Sequence, residues 1–301
     1  MKQLFIKFRS SIIRFIKGIA IGIAMIIPGV SGGTLAVLVN IYDEMIDSIN
    51  NLFKDFKKSF FTLLPILLGA VVGFLGLIYP LTLGLEHCPL VIISLFAGLI
   101  IGGIPSLYKK VQGKESIKGF VFSLISIAIM ISLCFIVTNI QISFDKLTLW
   151  IILYLLLGGI LAACALVVPG ISGSMIMIIL GLYSPILLVL SDILHFQNVF
   201  NNALILLPLI SGLVIGFFSI SKLMGYLLKK HETNTFFSII GFVIGSIFTI
   251  YFVTITDGEY QIDFSFVSIL ISSICLIGGF LLTFLLEKKL SSRKEKENEI
   301  R

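Results

Sequence analysis

The chain has 301 residues, a net charge of +6 and a composition of 57% hydrophobic and 13% charged residues. Soluble domains carry about 25% charged residues, so this composition excludes a soluble globular domain and indicates an all-α polytopic membrane protein. Most basic residues lie at the chain ends and in short loops. This distribution favours contact with anionic lipid and excludes nucleic-acid binding, which needs a basic face on an aqueous domain.

A basic amphipathic segment, MKQLFIKFRSSIIRFIKG, begins the chain. It lacks a signal-peptide cleavage site, so we expect it to be retained at the cytoplasmic surface. The charge-free run GIAIGIAMIIPGVSGGTLAVLVNIY follows, with Lys17 before it and a lysine-rich loop at 54–58 after it. Lysine and arginine concentrate in cytoplasmic loops, so this run enters and leaves by the same face. We therefore predict a re-entrant hairpin at about residues 18–42, with its tip at 28–33.

Three full spans are predicted after this hairpin, and they complete a first half at residues 1–146. The spans fall at 61–83, 88–108 and 119–140. Glu86 and His87 lie in the outer turn between the first two spans. These two residues form either part of a solvated loop or a titratable pair that couples the function of the protein to protons.

The second half, residues 147–290, repeats this plan. A charge-free run gives room for a second hairpin at about 147–190, with its tip at 169–173. The loop after it contains Asp192 and neither lysine nor arginine, as an external loop should. Three more spans are predicted at 203–228, 235–256 and 264–286, followed by a polar tail at 291–301. The N- and C-termini are therefore both expected in the cytoplasm.

The two halves align with each other as an internal duplication. The aligned positions are Gly18, Ala24, Pro28, Gly29, Ser31, Gly32 and Tyr42 with Gly159, Ala165, Pro169, Gly170, Ser172, Gly173 and Tyr183. Each half has three full crossings, an odd number, so the halves are predicted to have opposite orientations. The expected fold is an inverted repeat of about six full transmembrane helices plus two re-entrant helical hairpins. A count of ten helices that includes the half-helices has the same parity and stays open.

Both hairpin tips have a chemistry suited to binding an ion. Proline ends a helix and glycine lets a ligand approach the backbone, while Ser31 can cap the next helix and Thr34 adds a hydroxyl. The free N–H groups of a helix start attract anions. Ser172 and Ser174 offer the equivalent set in the second half. The alternatives are a tight turn that packs small residues against a neighbouring helix, and a cation site built from carbonyl groups.

The remaining polar residues carry no enzyme signature. Arg14 and Lys17 lie at the mouth of the first hairpin, either as positive-inside anchors or as an electrostatic guide for a phosphate group. Arginine is missing between Arg14 and Arg293, which weakens the case for a phosphatase. The cysteines share no close spacing, and metal-ligand and nucleotide-binding patterns are missing from the sequence. We therefore expect no disulfide, no metal ion and no cofactor.

Three motifs resemble the bacterial polyprenyl-phosphate transporter family, formerly known only as a domain of unknown function: RFIKGIAIGIAMIIPGVSGGTLAVLVNIYDEMI, LVVPGISGSMIMIILGLYSPIL and FAGLIIGGIPSLY. The likeness covers about residues 10–290. It implies a flippase that moves undecaprenyl phosphate from the outer to the inner leaflet of the bacterial cytoplasmic membrane, which recycles the carrier lipid for peptidoglycan synthesis. From the residues alone, a lipid-pyrophosphate phosphatase and a transporter of a small soluble anion stay open as alternatives.

The resemblance also implies which residues bind the lipid phosphate. They are Arg14, Lys17, Pro28, Gly29, Ser31, Gly32, Gly33 and Thr34 in the first half and Pro169, Gly170, Ser172, Gly173 and Ser174 in the second. The second tip reads SGSM where the first reads SGGT, so the two tips need not contribute equally. An unpaired charge in hydrocarbon is costly, so the protein would supply a polar site for the headgroup while the polyprenyl tail stays in lipid.

Overall fold

The computed structural model describes residues 2–25, 31–135, 148–256 and 261–299. All regular secondary structure in these ranges is helical, which confirms the all-α class. Twelve helices occur in this part of the chain: α1 (Lys2–Ala24), α2 (Gly32–Leu38), α3 (Tyr42–Asn50), α4 (Phe56–His87), α5 (Pro89–Lys109), α6 (Ile117–Phe135), α7 (Leu149–Val167), α8 (Gly173–Ile179), α9 (Tyr183–Leu194), α10 (Val199–Lys230), α11 (Glu232–Thr256) and α12 (Phe266–Glu299).

Within the described ranges, seven helices are long and apolar enough to cross a membrane, so the chain is a polytopic membrane protein. The spans are Phe56–Leu77, Pro89–Lys109, Ile117–Phe135, Leu149–Val167, Val199–Lys230, Glu232–Thr256 and Phe266–Leu285. Six of these spans fall on the six predicted crossings. The seventh, α7, is the first arm of the second predicted hairpin.

The length of α7 differs from the half-helix that the hairpin prediction implies. It has 19 residues, which is about 28 Å at a rise of 1.5 Å per residue. The helix is this long because no proline interrupts the apolar run before Pro169. The first arm of this hairpin can therefore reach across most of the hydrocarbon layer before the chain turns.

The second arm of each predicted hairpin is short. α2 and α8 have seven residues each, which is about 10 Å of helix, whereas the hydrocarbon core is roughly 30 Å thick. α8 meets α9 at a bend of 107°, and α2 leads into the amphipathic helix α3. Neither short arm can cross the membrane as a straight continuation. Residues 28–30 of the first hairpin tip, which include Pro28 and Gly29, lie outside the described residues, whereas 31–33 are described.

Glycines bring helix backbones into contact at aligned places in the two halves. α1 packs on α4, and α7 packs on α10. Gly18 lies against the carbonyl group of Ile66, and the aligned Gly159 lies against that of Leu209. A methyl group at either glycine would overlap the carbonyl oxygen, so the absence of a side chain permits this close helix contact.

The last helix of each half packs on the other half. α12 packs on α5, where Gly98 lies against the carbonyl group of Leu276. α6 packs on α11, where the aligned Gly241 lies against the carbonyl group of Ser123. These contacts agree with the sequence alignment. The division of the chain at residues 1–146 and 147–290, and the opposite orientation of the halves, stay predictions.

The two hairpins are buried to different extents. Residues 34–38 of α2 are all buried, in a core that α3, α5 and α11 share. Of the seven residues of α8, Gly173 alone is buried. Beside α8 lies a smaller cluster from α7, α9 and α10, which includes Leu155, Leu182 and Leu209. α2 is therefore enclosed by protein, whereas most of α8 lies at or near the surface of the described structure.

Candidate functional site

The first hairpin tip leads into a capped helix. Ser31 is the N-cap of α2, and its Oγ accepts a hydrogen bond of 3.2 Å from the backbone N–H of Gly33. Thr34, in the first turn, is fully buried, and its hydroxyl has no hydrogen-bond partner among the described residues. A buried polar group without a partner is costly. Thr34 therefore offers a group that a bound ligand can satisfy.

The second tip turns at a glycine and uses its serines differently. Gly170 has φ +96°, a conformation that favours glycine. A methyl group there would lie 2.7 Å from the carbonyl oxygen of Phe242 on α11, so a side chain does not fit. The Oγ atoms of Ser172 and Ser174 are 2.8 Å apart. In the described structure the Ser172 side chain makes no capping hydrogen bond, so its hydroxyl is engaged differently from that of Ser31.

The helix start that follows the first break lies against the second break. A methyl group on Gly33 would lie 3.3 Å from the carbonyl oxygen of Leu166 and 3.5 Å from the Cα atom of Pro169. The buried Tyr42 donates a hydrogen bond of 2.8 Å from its hydroxyl to the carbonyl group of Val167, at the C-terminal end of α7. The last carbonyl groups of a helix have no partner within it, and Tyr42 satisfies one of them. The starts of α2 and α3 thus both contact the C-terminal end of α7 or the turn after it.

Gly32 and Gly173 pack within their own halves. A methyl group on Gly32 would lie 3.2 Å from the side chain of Met25, and one on Gly173 would lie 3.1 Å from the side chain of Leu166. Met25 and Leu166 are aligned positions, so the two glycines have equivalent surroundings. These contacts are the ones expected if each tip is only a tight turn that packs small residues against a neighbouring helix. The role of the two glycines in binding stays a prediction.

The basic residues at the mouth of the first hairpin are tied to its return arm. Arg14 donates two hydrogen bonds, from Nε and a terminal guanidinium nitrogen, to Oε1 of Glu44 at 3.0 and 2.6 Å. Lys17 donates from Nζ to the carbonyl oxygen of Asn40 at 3.1 Å. Both contacts fit an anchoring role. The sequence analysis missed Glu44 and Asn40, because partners across a hairpin cannot be assigned before its return path is known.

Glu86 and His87 lie at the C-terminal end of α4, and both are exposed. The Nδ1 atom of His87 is 3.0 Å from the carbonyl oxygen of Leu83, one turn earlier in the same helix. These are the surroundings of a solvated helix end. A role of the pair in proton coupling stays a prediction.

A family match covers both tips. A family model described as undecaprenyl phosphate translocase-like matches residues 21–265. The chain belongs to the undecaprenyl phosphate translocase-like family. This match confirms the resemblance carried by the three sequence motifs.

Two relatives are similar to this translocase-like chain over most of its length. A polyprenyl-phosphate transporter of Staphylococcus aureus (strain NCTC 8325 / PS 47) is 34% identical over 246 residues, which cover 79% of this chain and 86% of the relative. A polyprenyl-phosphate transporter of Vibrio cholerae serotype O1 (strain ATCC 39315 / El Tor Inaba N16961) is 29% identical over 253 residues, which cover 77% of this chain and 75% of the relative. No solved structure matches the chain.

These relatives are named as transporters and not as enzymes. Their names agree with the expectation that this member of the translocase-like family is not an enzyme. Together with the multi-pass helical fold, the family identifies a membrane transporter. The sequence analysis did not select Tyr42 as a residue of this junction, although its alignment with Tyr183 was a usable signal.

Proposed function

We propose that this translocase-like protein moves undecaprenyl phosphate from the outer to the inner leaflet of the bacterial cytoplasmic membrane, so that the carrier lipid returns to peptidoglycan synthesis. The observation that carries the proposal is the junction of the two chain breaks, where Gly33 lies against Leu166 and Pro169. Transporters built from inverted repeats bind their substrates where broken helices of the two repeats meet. The family and the names of the relatives support the substrate class.

The headgroup is the part of this lipid that needs a protein. A phosphate charge in hydrocarbon is very costly, whereas the polyprenyl tail can stay in the lipid throughout. A polar binding site at the tips, reached from either leaflet through a lateral opening, is sufficient for transport. A carrier of a small soluble anion would need a path sealed from lipid instead.

Hydroxyl and backbone N–H groups at the two tips provide the binding site in this proposal. Thr34 has the most to gain from a phosphate oxygen, because its hydroxyl is buried and lacks a partner among the described residues. Ser31 accepts a hydrogen bond from a backbone N–H and keeps its own hydroxyl proton for donation. Ser172 and Ser174 contribute the equivalent groups of the second tip. Arg14 and Lys17 attract the headgroup at the mouth of the first hairpin.

Transport alternates between the two faces of the membrane in this scheme. The basic loops favour a cytoplasmic location for both termini, and in this scheme rocking of oppositely oriented halves exposes the tips to each leaflet in turn. Inward movement of an anion opposes an inside-negative potential by about 2.3 kcal/mol per charge per 100 mV. The driving force is then either proton coupling, for which Glu86 and His87 are the candidates, or consumption of the lipid inside the cell.

Liposomes reconstituted with the purified protein test the proposal. Labelled undecaprenyl phosphate is added to the outer leaflet, and its loss from that leaflet is followed with a reagent that cannot cross the membrane. We expect faster loss than in protein-free liposomes. Equal rates would contradict transport. Release of inorganic phosphate from undecaprenyl pyrophosphate by the same preparation would instead establish the phosphatase alternative.

A further inference from the structure

Helix α3 lies between the two halves at the end of the protein that carries the basic loops. Its nine residues bury Tyr42, Ile46 and Ile49. Its three acidic residues, Asp43, Glu44 and Asp47, are exposed. Buried and exposed residues thus alternate with helical spacing, so that one face of α3 packs on the protein and the other carries negative charge.

Three side chains of α3 bind the second half. Tyr42, the first residue of the helix, makes the hydrogen bond to the end of α7 described above. Oδ1 of Asp47 pairs with Nζ of Lys229 at 2.9 Å. The side-chain amide of Asn50, the last residue, donates a hydrogen bond of 2.9 Å to the carbonyl group of Ser221 on α10. The contacts between the halves therefore run along the whole length of α3.

The surface under α3 combines a close contact with an unfilled space. A methyl group on Gly225 of α10 would overlap the side chain of Asn50. Beside this contact lies a cavity of about 270 Å³ between α3, α10 and α11, lined in part by Ile46, Leu228 and Phe236. The packing of α3 against α10 and α11 is therefore incomplete beside this contact.

One further ion pair joins the halves at this end of the protein. Nζ of Lys114, after α5, lies 3.5 Å from Oε2 of Glu232, the first residue of α11. Glu232 also lines the cavity under α3. Side chains of both halves thus meet around the same space.

The second hairpin has no comparable set of side chains. α9 aligns with α3, and the one acidic residue of α9 is Asp192. Its carboxylate accepts a hydrogen bond of 3.5 Å from Asn202, in the same half. Residues 147–221 contain neither lysine nor arginine. Ion pairs of the kind made by α3 can therefore not be built from this part of the chain.

We propose that α3 is a latch that closes the cytoplasmic end of the protein, and that a phosphate headgroup reaches the inner leaflet only after α3 leaves α10. This inference rests on the proposed function. In the structure the latch is closed, with α3 on α10 and α2 enclosed. Because Tyr42 binds the end of α7, movement of α3 also removes a contact at the junction of the tips.

The strength of the latch suits a reversible closure. The Asp47–Lys229 pair is solvent-exposed, with 55% and 74% of the two side chains accessible. Such pairs are individually weak, so the latch depends on several small contacts acting together. A substrate can shift a balance of this size through a modest difference in affinity between the two states.

Charge exchange at this pair tests the latch. A single cysteine replaces Leu228, which lines the cavity, in a chain whose four native cysteines are changed to serine. A membrane-impermeant maleimide is applied to the cytoplasmic face of inside-out vesicles. We expect Asp47→Lys and Lys229→Asp each to raise the labelling rate about fivefold, and the double exchange to restore the parent rate. Asp47→Asn, a milder change, should raise it about twofold.

Asp192→Lys is the matched control, because it reverses a charge on the aligned helix, whose contact with α10 is at Asn202, near the opposite end of α10 from Lys229. It should leave the labelling of the cysteine at position 228 unchanged. Single exchanges that label at the parent rate, or a double exchange that stays fast, would overturn the latch. Labelling does not depend on transport of undecaprenyl phosphate, so the two proposals can fail separately. A parent chain that fails to move this lipid in liposomes overturns the proposed function, and the labelling result still decides the latch.

Discussion

Thr34 distinguishes a binding role from a packing role at the first tip. Its hydroxyl is fully buried and has no partner among the described residues. A residue selected only to fill space at this position would be an apolar one of the same shape, because an unsatisfied hydroxyl opposes folding. In the proposed function, a phosphate oxygen that is bound for part of the transport cycle supplies this partner.

We expect Thr34→Val to weaken transport without weakening the fold. Loss of one hydrogen bond to a charged group should reduce the apparent affinity for undecaprenyl phosphate about tenfold. The melting temperature in detergent should stay the same or rise, because a buried unsatisfied group is removed. Uptake against lipid concentration and thermal unfolding measure the two effects.

Thr254→Val is the control for this change. Thr254 is also buried, but its hydroxyl donates to the carbonyl group of Ile250 in its own helix at 2.8 Å. This variant should keep the parent affinity. If Thr34→Val kept it too, the binding role of Thr34 would be excluded.

The residue types at the tips could be predicted from the sequence, but not their partners. Proline, glycine and serine report local backbone requirements directly, so the breaks were found. The pairs Arg14–Glu44 and Tyr42–Val167 depend on how distant segments come together. The sequence carries no local signal for such contacts.

At the scale of secondary-structure elements, the two hairpins share a plan but differ in packing. In both, a long helix is followed by a break, a seven-residue helix and a further helix. The second turn depends on Gly170, whose φ is +96° and whose Cα lies close to the backbone of Phe242. A methyl group at this position would therefore strain the turn and push it away from α11.

Gly170→Ala should destabilise the protein by about 2 kcal/mol or more, because it combines an unfavourable φ with overpacking against α11. A lower melting temperature in detergent checks this. Gly76→Ala is the control, since no atom lies within 4 Å of the added methyl group and alanine favours a helix over glycine by about 1 kcal/mol. Equal melting temperatures for the two variants would contradict the proposed packing at the second tip.

The sequence analysis found the long helices and missed α3. A run of twenty apolar residues has few alternatives in a membrane protein, so six crossings were placed correctly. α3 begins at Tyr42, where the predicted hairpin ends, and its acidic residues resemble those of a loop. The spacing of Tyr42, Ile46 and Ile49 was the available signal, but an amphipathic pattern of only about two turns is a weak one.

At the scale of the whole molecule, the driving force of the proposed transport can be tested separately from the structure of the binding site. Inward movement of a phosphate costs energy whenever the inside is negative. If protons supply that energy, collapsing the pH gradient in liposomes held at zero potential should slow uptake several-fold. In the variant Glu86→Gln with His87→Gln, uptake should no longer respond to the gradient. Uptake that is unaffected by the gradient in the parent would remove proton coupling and favour consumption of the lipid.

The last helix of each half packs on the other half, and this exchange of final helices could not be predicted from the sequence. α6 and the membrane-spanning part of α12, Phe266–Leu285, are almost entirely apolar, and nothing in their composition selects α11 or α5 as a partner. The duplication predicts only that the final helices of the two halves pack in equivalent ways. Close packing at Gly98 and Gly241 decides the pairing, and complementary shape of this kind is not visible in a single sequence.

This exchange has a consequence for synthesis. α5 leaves the ribosome long before α12, its packing partner, has been translated. Until the last helix enters the bilayer, the glycine face of α5 borders lipid or a helper protein. A nascent chain truncated before residue 266 should therefore remain open to insertase contacts at α5, and the finished protein should assemble only after translation ends.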